Sequence, residues 1–462
     1  MPSVETFKPV GSPEQPVAII ENNWPRPGLL EAGMRGEGYL GRFMGHDRRW
    51  FFEDENGAPV HTGEGDSLAA VGARLQQTAL AYPDGGMIGY VSYEAGYAMV
   101  GLKRPCRARD SFGRVPDVQF LFFKSLQRVM PCAPAETHRT REYSRRELDQ
   151  LLRQRGVQTQ TSRARYHTDV ETIREHIAAG DIYQANYTQA FDADSAAPTL
   201  GQFRRLVSAS PAPYNTLLHF PECSNPGPAP ELRTFPALTI LGASPERLLR
   251  KTGSRLETRP IKGTVGRARD ADDDRLARHQ LLRSRKDQAE LLMITDLERN
   301  DLGKIAEVGT VRVESIARLR RAPSVWHLES TVAAEAAPNV TWADALCALF
   351  PGGSITGAPK RRAMEIISSL ESGARGVYCG TYGWVNTHGD CDFAVAIRTA
   401  VRIGNTVRLC GGGGIVYDSD PESEFYESVI KIAPMLEAFT DGSAQSPHSQ
   451  PRMTTETEEA HA

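Results

Sequence analysis

Residues 260–264 read Pro260-Ile261-Lys262-Gly263-Thr264. Pro260 fixes one backbone angle ahead of the lysine and Gly263 lets the chain turn tightly behind it, so the amine projects from a stiff support. A lysine that acts as nucleophile or base must lose its proton, and its pKa must then fall from about 10.4 through desolvation or a neighbouring cation. An ordinary surface lysine in a turn has the same five residues. The surroundings in the chain have to decide between the two.

The chain has 462 residues, enough for one large domain or two or three smaller ones with a sizeable core. Its net charge of -3 gives no basic footprint, so neither nucleic acid nor an anionic membrane surface is an expected partner. Met1 to Pro16 is polar and lacks the apolar core of a signal peptide, and no later run approaches a membrane span. The expectation is a soluble protein of the cytoplasm. The seven cysteines (Cys106, Cys132, Cys223, Cys347, Cys379, Cys391, Cys410) are scattered and form no Cys-x-x-Cys pair, which argues against a disulfide framework or a zinc site. His327-Leu328-Glu329 has the His-x-Glu spacing of a glutamine-hydrolysing domain, yet it precedes Cys379, which lacks the Gly-x-Cys-x-Gly frame. No glutaminase of that kind is expected within the chain.

Residues 1 to about 130 alternate short apolar runs with glycine and proline, as strands joined by turns do. The aromatic stretch Tyr90 to Tyr97 reads as core. Residues 131–165 are charged, with Arg145 to Arg155 readable as a solvent-facing helix, and form a linker to a larger part at 166–440. Tyr166 to Ala179 has helical periodicity closed by Gly180, and Ile182 to Thr188 alternates as a strand. A proline-rich loop is expected at 221–230, and 441–462 reads as a disordered polar tail.

Around the lysine, several charged residues stand where packing alone would not put them. Ser244-Pro245-Glu246-Arg247 ends a strand on a carboxylate propped by proline. A helical region from the caps at Asp270–Asp274 through Leu297 carries Glu290, whose neighbours at i+3, i+4 and i+7 are Met293, Ile294 and Leu297. A carboxylate on that stripe either meets a cation or lies at its edge. Pro351 to Lys360 is a glycine-rich loop feeding a helix at Arg361 to Leu370. Ala358 stands where a nucleotide loop needs lysine, so a carboxylate ligand or a structural turn fits better. Two strands follow, Gly376 to Val385 and Asp392 to Val401, the second carrying Arg398, whose fork suits a carboxylate. Gly411 to Gly414 leaves the backbone bare for a ligand or for a bulge. Ser419-Asp420-Pro421-Glu422 starts a helix on which Glu424, Glu427 and Lys431 share one face, as a helix ion pair or as metal and ligand contacts.

Taken in order, Ser244–Arg247, Pro260–Thr264, Asp296–Gly303, Pro351–Lys360, Gly376–Thr399 and Gly412–Pro421 resemble the chorismate-utilising enzymes, and within them the aminodeoxychorismate synthase group. The resemblance spans about 165–437, and residues 1–130 are more loosely similar. It implies an α+β fold, a large two-sheet antiparallel sandwich flanked by helices. It implies Mg2+ on Glu290 and Glu427 with Glu424 in support. Arg398, Lys431, Gly412 and Gly414 would hold the substrate carboxylates, and His327 and Thr356 would line the ring. Glu246 would be the general acid, and Lys262 a nucleophile at C2 before ammonia adds at C4. The resemblance further implies a separate glutamine amidotransferase subunit as the ammonia source in a heterodimer, and a product destined for 4-aminobenzoate and folate. Anthranilate synthases are similar throughout but have alanine where Lys262 stands. Amination at C2, hydration to isochorismate, or a non-catalytic subunit that docks a glutaminase are the rival readings. Trp384 departs from the tyrosine usual in this family.

Overall fold

The computed structural model describes residues 17–439 except 23–24, 27–28, 31–32, 47–48, 57, 106–111, 113–114, 130–142, 155, 225–233, 269 and 323–324. The tail expected at 441–462, the first part of the 131–165 linker and most of the loop expected at 221–230 lie outside the described residues. Among the described residues, twenty strands hydrogen-bond into one antiparallel network with helices packed against it. The α+β fold with a large antiparallel sheet and flanking helices is therefore as the sequence led us to expect. The layers expected as two sheets are joined by continuous pairing. Strands of the N-terminal part enter the same network, because Gly86–Val91 pairs with Thr381–Asn386 over its whole length.

Three large apolar clusters fill the spaces that this arrangement creates. One, containing Tyr90, Phe220, Ile240 and Tyr382, lies between strands. A second joins the helix Trp342–Leu349 to strands around Phe120 and Phe393. The third lies under the helices Arg163–Ala178, Thr199–Ala209 and Pro421–Phe439, against the paired strands Gln184–Asp194 and Thr406–Ile415. Tyr90, Tyr93 and Tyr97 are fully buried, so the aromatic stretch is core as read. No helix of the described residues is long and apolar enough to cross a membrane.

Four local features shape this framework around its charged residues. Gly263 is not in a turn but in a β-bulge. Its φ is +68°, and the pairing of Ile261–Gly266 with Val325–Glu335 slips between Lys262 and Thr264. An extra residue in the left-handed region bends the strand and re-aims its neighbours, a role glycine fills at no steric cost. The helix expected through Leu297 is two helices, Ala271–Arg283 and Arg285–Gly303, because Ser284 leaves helical geometry and its hydroxyl caps Asp287 N–H. The strand expected at Asp392–Val401 breaks at Arg398, whose φ is +51°, into Cys391–Val395 and Thr399–Ile403. A bulky residue held there stores strain of about 1–3 kcal/mol, which surrounding contacts must hold in place. Finally, the C-terminal helix starts at Pro421 with Asp420 accepting from Ser423 N–H at 2.9 Å, as its sequence predicts.

The glycine-rich loop is stapled to the sheet by one buried cation. Arg375 pairs with Glu371 at 2.6 Å and donates to the Ile355 carbonyl at 2.8 Å and the Asn186 carbonyl at 2.6 Å. Glu371 in turn accepts from the Thr188 N–H and hydroxyl at 3.1 and 2.9 Å. Removing one member of such a pair leaves an uncompensated buried charge. Arg375→Met is expected to lower unfolding free energy by about 3–5 kcal/mol, read by urea titration, and Glu371→Gln on that background should recover part of the loss.

Candidate functional site

The bulge at Gly263 sends the Lys262 side chain toward the helix Arg285–Gly303 and the glycine strand Thr406–Ile415. Its Nζ lies 3.5 Å from Glu290 Oε2, with the side chain 15% exposed, so the amine is sheltered but reachable. Glu290 thus takes the first of its two readings: it meets cations, Lys262 on one side and Lys286 at 4.0 Å on the other. Gly414 supplies the opposite wall, where a Cβ would stand 3.1 Å from Lys262 Nζ and 2.3 Å from Gln184 Nε2. Any side chain there would displace both groups.

The C-terminal helix adds the next charges. Lys431 pairs with Glu427 at 2.8 Å and donates to the Gly412 carbonyl at 2.7 Å, tying helix to glycine strand. Glu424 is buried and accepts from Ser419 Oγ at 2.7 Å. A Cβ on Gly413 would lie 2.9 Å from Glu424 and 3.7 Å from Glu427, so the bare strand also makes room for these carboxylates. The Lys431 ammonium holds the Glu427 carboxyl below its ordinary range, whereas burial and then Glu427 push Glu424 up. Lys286 and Lys262 both act on Glu427 as well as lying within reach of Glu290, so the two acids face a common space. Among the described residues no three acidic, histidine or cysteine side chains are preassembled as a closed metal cage.

Arg398 donates through Nη1 to the Lys431 carbonyl at 2.8 Å. No carboxylate among the described residues stands at ion-pair distance from it. His327 is 8% exposed and shares a 2.8 Å hydrogen bond between Nδ1 and Thr264 Oγ1. Burial first, then the charges of Arg398 and Arg320, lower its pKa to about 3, so the imidazole is neutral at physiological pH. Thr356 is fully buried, its hydroxyl donating to the Gly352 carbonyl at 2.8 Å and its own carbonyl accepting from Asn186 N–H at 2.8 Å.

Glu246 closes the site on the side of the strand Leu238–Ser244. It is 3% exposed, and its Oε1 has no hydrogen-bond partner. Burial pushes its carboxyl up to about 7, against the opposing pull of the Ser354 hydroxyl, the Lys262 ammonium and the Ile261 N–H. A carboxyl poised near neutrality beside an amine is the pattern of a proton donor.

The residues expected to act on the substrate or the metal are therefore in one connected neighbourhood, with Thr356 joined to it through the loop backbone. The sequence reading passed over Gln184, which is fully buried yet has both amide atoms unpartnered next to Gly414. It gives Ser354 no role of its own and reads Glu298 only as one of the pairing and capping groups at Asp296 to Asp301, and both flank Glu246. A buried glutamine within a strand is the one signal that could have marked Gln184.

The family of chorismate binding enzymes matches residues 37–437. The anthranilate synthase component 1 of Aquifex aeolicus is 33% identical over 381 residues, 77% of this chain and 74% of its own length. The aminodeoxychorismate synthase component 1 of Klebsiella aerogenes is 39% identical over 275 residues, 60% of this chain and 58% of its own. The match to one anthranilate synthase component 1, from Haloarcula marismortui, covers 53% of that protein, so the matches span about half to three quarters of these curated relatives. Among solved structures, anthranilate synthase component I from Streptococcus pneumoniae superposes with a TM-score of 0.66 at 25% identity, covering 89% of this chain and 93% of its own. The menaquinone-specific isochorismate synthase of Escherichia coli shares the fold, with a TM-score of 0.64 at 18% identity over 93% of this chain and 90% of that one. With the match running from the N-terminal strands through the C-terminal helix that carries Glu427 and Lys431, this chain belongs to the chorismate binding enzyme family.

Proposed function

We propose that the protein aminates chorismate at C4, as an aminodeoxychorismate synthase component I, using ammonia delivered by a separate glutaminase subunit. The observation that supports this reading is the Lys262 amine, aimed by a bulge into a cluster of opposite charges beside the protonatable Glu246. Having given up its proton to solvent, Lys262 attacks the ring at C2 as the neutral amine, while Glu246 gives its own proton to the hydroxyl, which departs from C4 as water. Ammonia then adds at C4 and the lysine leaves, so one difficult substitution becomes two easier ones. Arg398, Lys431 and the Gly412 and Gly414 backbone receive the substrate carboxylates, and neutral His327 with Thr356 lines the ring without adding charge. The relatives divide between 2-amination and 4-amination by name, and Lys262 is what favours C4 here. The "component 1" of those names accords with a second subunit.

The donor set also fits a hard divalent cation. Glu290 and Glu427 face a common space, and burial, then the Glu427 charge, push the Glu424 carboxyl up, a crowding that a cation would relieve. Mg2+ needs only one or two protein carboxylates and keeps several waters, so no closed cage is required. Bound there, Mg2+ would screen the ring carboxylate of the substrate.

Three outcomes test this reading. Incubated with chorismate, Mg2+ and ammonium, the wild type is expected to yield 4-amino-4-deoxychorismate, and Lys262→Ala to lose that product or shift to 2-amination; chromatographic identification of a C2-aminated wild-type product would make the chain an anthranilate-type synthase. Glu246 donates only when protonated, so with free ammonia held constant its loss of a proton should give kcat/KM for chorismate a falling limb as pH rises through about 7, separate from the rise that deprotonation of the Lys262 amine gives. Calorimetric titration should show Mg2+ bound at least about tenfold more weakly by Glu290→Gln and Glu427→Gln.

A further inference from the structure

Ser354 and Glu298 are buried beside Glu246 and have no part in the proposed steps. Ser354 lies on the short turn Gly353–Ile355, is 7% exposed, and has no hydrogen-bond partner for its Oγ. Glu246 Oε1 is also unpartnered. A buried donor or acceptor left open costs about 1–3 kcal/mol, so two of them at one place call for a reason. The turn is seated against the strand that follows Glu246, since a Cβ on Gly352 would meet Leu248 Cδ1 at 3.3 Å and Ser354 Oγ at 3.9 Å. From the acidic helix, Glu298 is 2% exposed and its Oε2 accepts from Thr258 Oγ1 at 2.7 Å. No cation among the described residues pairs with it at ion-pair distance. A buried carboxylate without such a partner is far costlier than a neutral acid.

We propose that Ser354 and Glu298 are positioning residues for Glu246. The Ser354 hydroxyl donates a hydrogen bond to the negative charge that appears on Glu246 when its proton leaves, and Glu298 remains an uncharged acid behind it, so that no second negative charge opposes that loss. In this step the Glu246 O–H bond breaks, the proton goes to the departing hydroxyl, and the electron pair stays on the carboxylate, to which Ser354 then donates. The inference rests on the reading of Glu246 as the general acid. The groups that face Glu246 are Lys262 from its strand, Glu329 from Val325–Glu335, the Ile261 N–H, Ser354 and Glu298. Those that face Glu298 are Glu246, Thr258, Asp301 on its own helix and Lys360 from the helix Lys360–Leu370. Burial, then the Glu246 charge, keeps Glu298 well above the usual carboxylate range, while Ser354 pulls Glu246 down.

The test reads protonation without turnover. On the full chain without added metal, the carboxyl carbonyl stretch is followed by infrared spectroscopy across pH, with Glu246 isolated as the difference from Glu246→Gln in each background. Ser354→Ala should make Glu246 hold its proton about tenfold more tightly, the worth of a hydrogen bond to a charged group. Ser354→Thr should restore the wild-type titration, which guards against a mere folding defect. Glu298→Gln should leave that titration within about threefold and remove a protonated-carboxyl band that the wild type retains well above neutral pH. An unchanged titration in Ser354→Ala, or a Glu246 proton loosened about tenfold in Glu298→Gln, would overturn the proposal, the latter because it makes Glu298 an ion. Full turnover by Glu246→Gln alongside the expected titrations would instead sink the general-acid reading and leave this coupling standing.

Discussion

The site depends on four successive strand residues without side chains, Gly411 to Gly414. At Gly411 a Cβ would stand 2.2 Å from the Ser428 carbonyl, and at Gly412 2.5 Å from the Tyr187 carbonyl, both backbone atoms that cannot swing aside. The bare stretch therefore lets the C-terminal helix lie directly on the sheet, and from that closeness come the positions of Glu424, Glu427 and Lys431. Two residues on, Gly414 gives up the same volume to Lys262 and Gln184. Helix and lysine strand are far apart in sequence, and the glycines are what allows both to reach the same few ångströms of backbone.

Such an approach gathers many charges in a poorly solvated place, and the arrangement offsets them pair by pair. Lys262 is set against Glu290, Lys431 against Glu427, and Arg320 against Glu329 at 2.8 Å. Behind the site Arg247, fully buried, meets Asp392 at 3.0 Å and Glu257 at 2.7 Å. Buried pairs of this kind add little net stability, but losing one partner is expensive, so they hold geometry more than they hold the fold together. The groups left incompletely satisfied are the informative ones. Among the described residues Arg398 makes no ion pair and rests on a carbonyl, and Glu246 has an open oxygen, which is where the substrate proposed above would complete the set.

What could be read from the sequence follows the range of the interactions involved. Capping at Asp420 and Pro421, the helix around Tyr166 and the core role of Tyr90 to Tyr97 rest on neighbours a few residues away, and local chemistry was enough for them. Lys262 and Glu290 were each recognisable as residues needing a partner, but that they are each other's partner depends on the pairing of distant elements. Gly263 shows the same limit from the other side. Its freedom to take positive φ was legible, whereas whether that freedom made a turn or a bulge was settled by the strand Val325–Glu335 beside it. Ser354, Glu298 and Gln184 gave almost no signal, since a serine in a glycine loop and a glutamate in a helix become unusual only once both are seen buried next to Glu246.

The strained backbone at Arg398 has a reason in this light. A continuous strand from Asp392 to Val401 would alternate its side chains strictly between faces, and the register would fix where the guanidinium points. The break at φ +51° frees it from that alternation, and the Arg398 carbonyl still accepts from Ala243 N–H at 2.9 Å, so the sheet is interrupted without being lost. The side chain then rests on the Lys431 carbonyl of the helix that the bare glycines admit. Strain at Arg398 and missing side chains at Gly411–Gly414 thus serve one geometry, in which an arginine and a lysine from different elements flank the same stretch of open backbone.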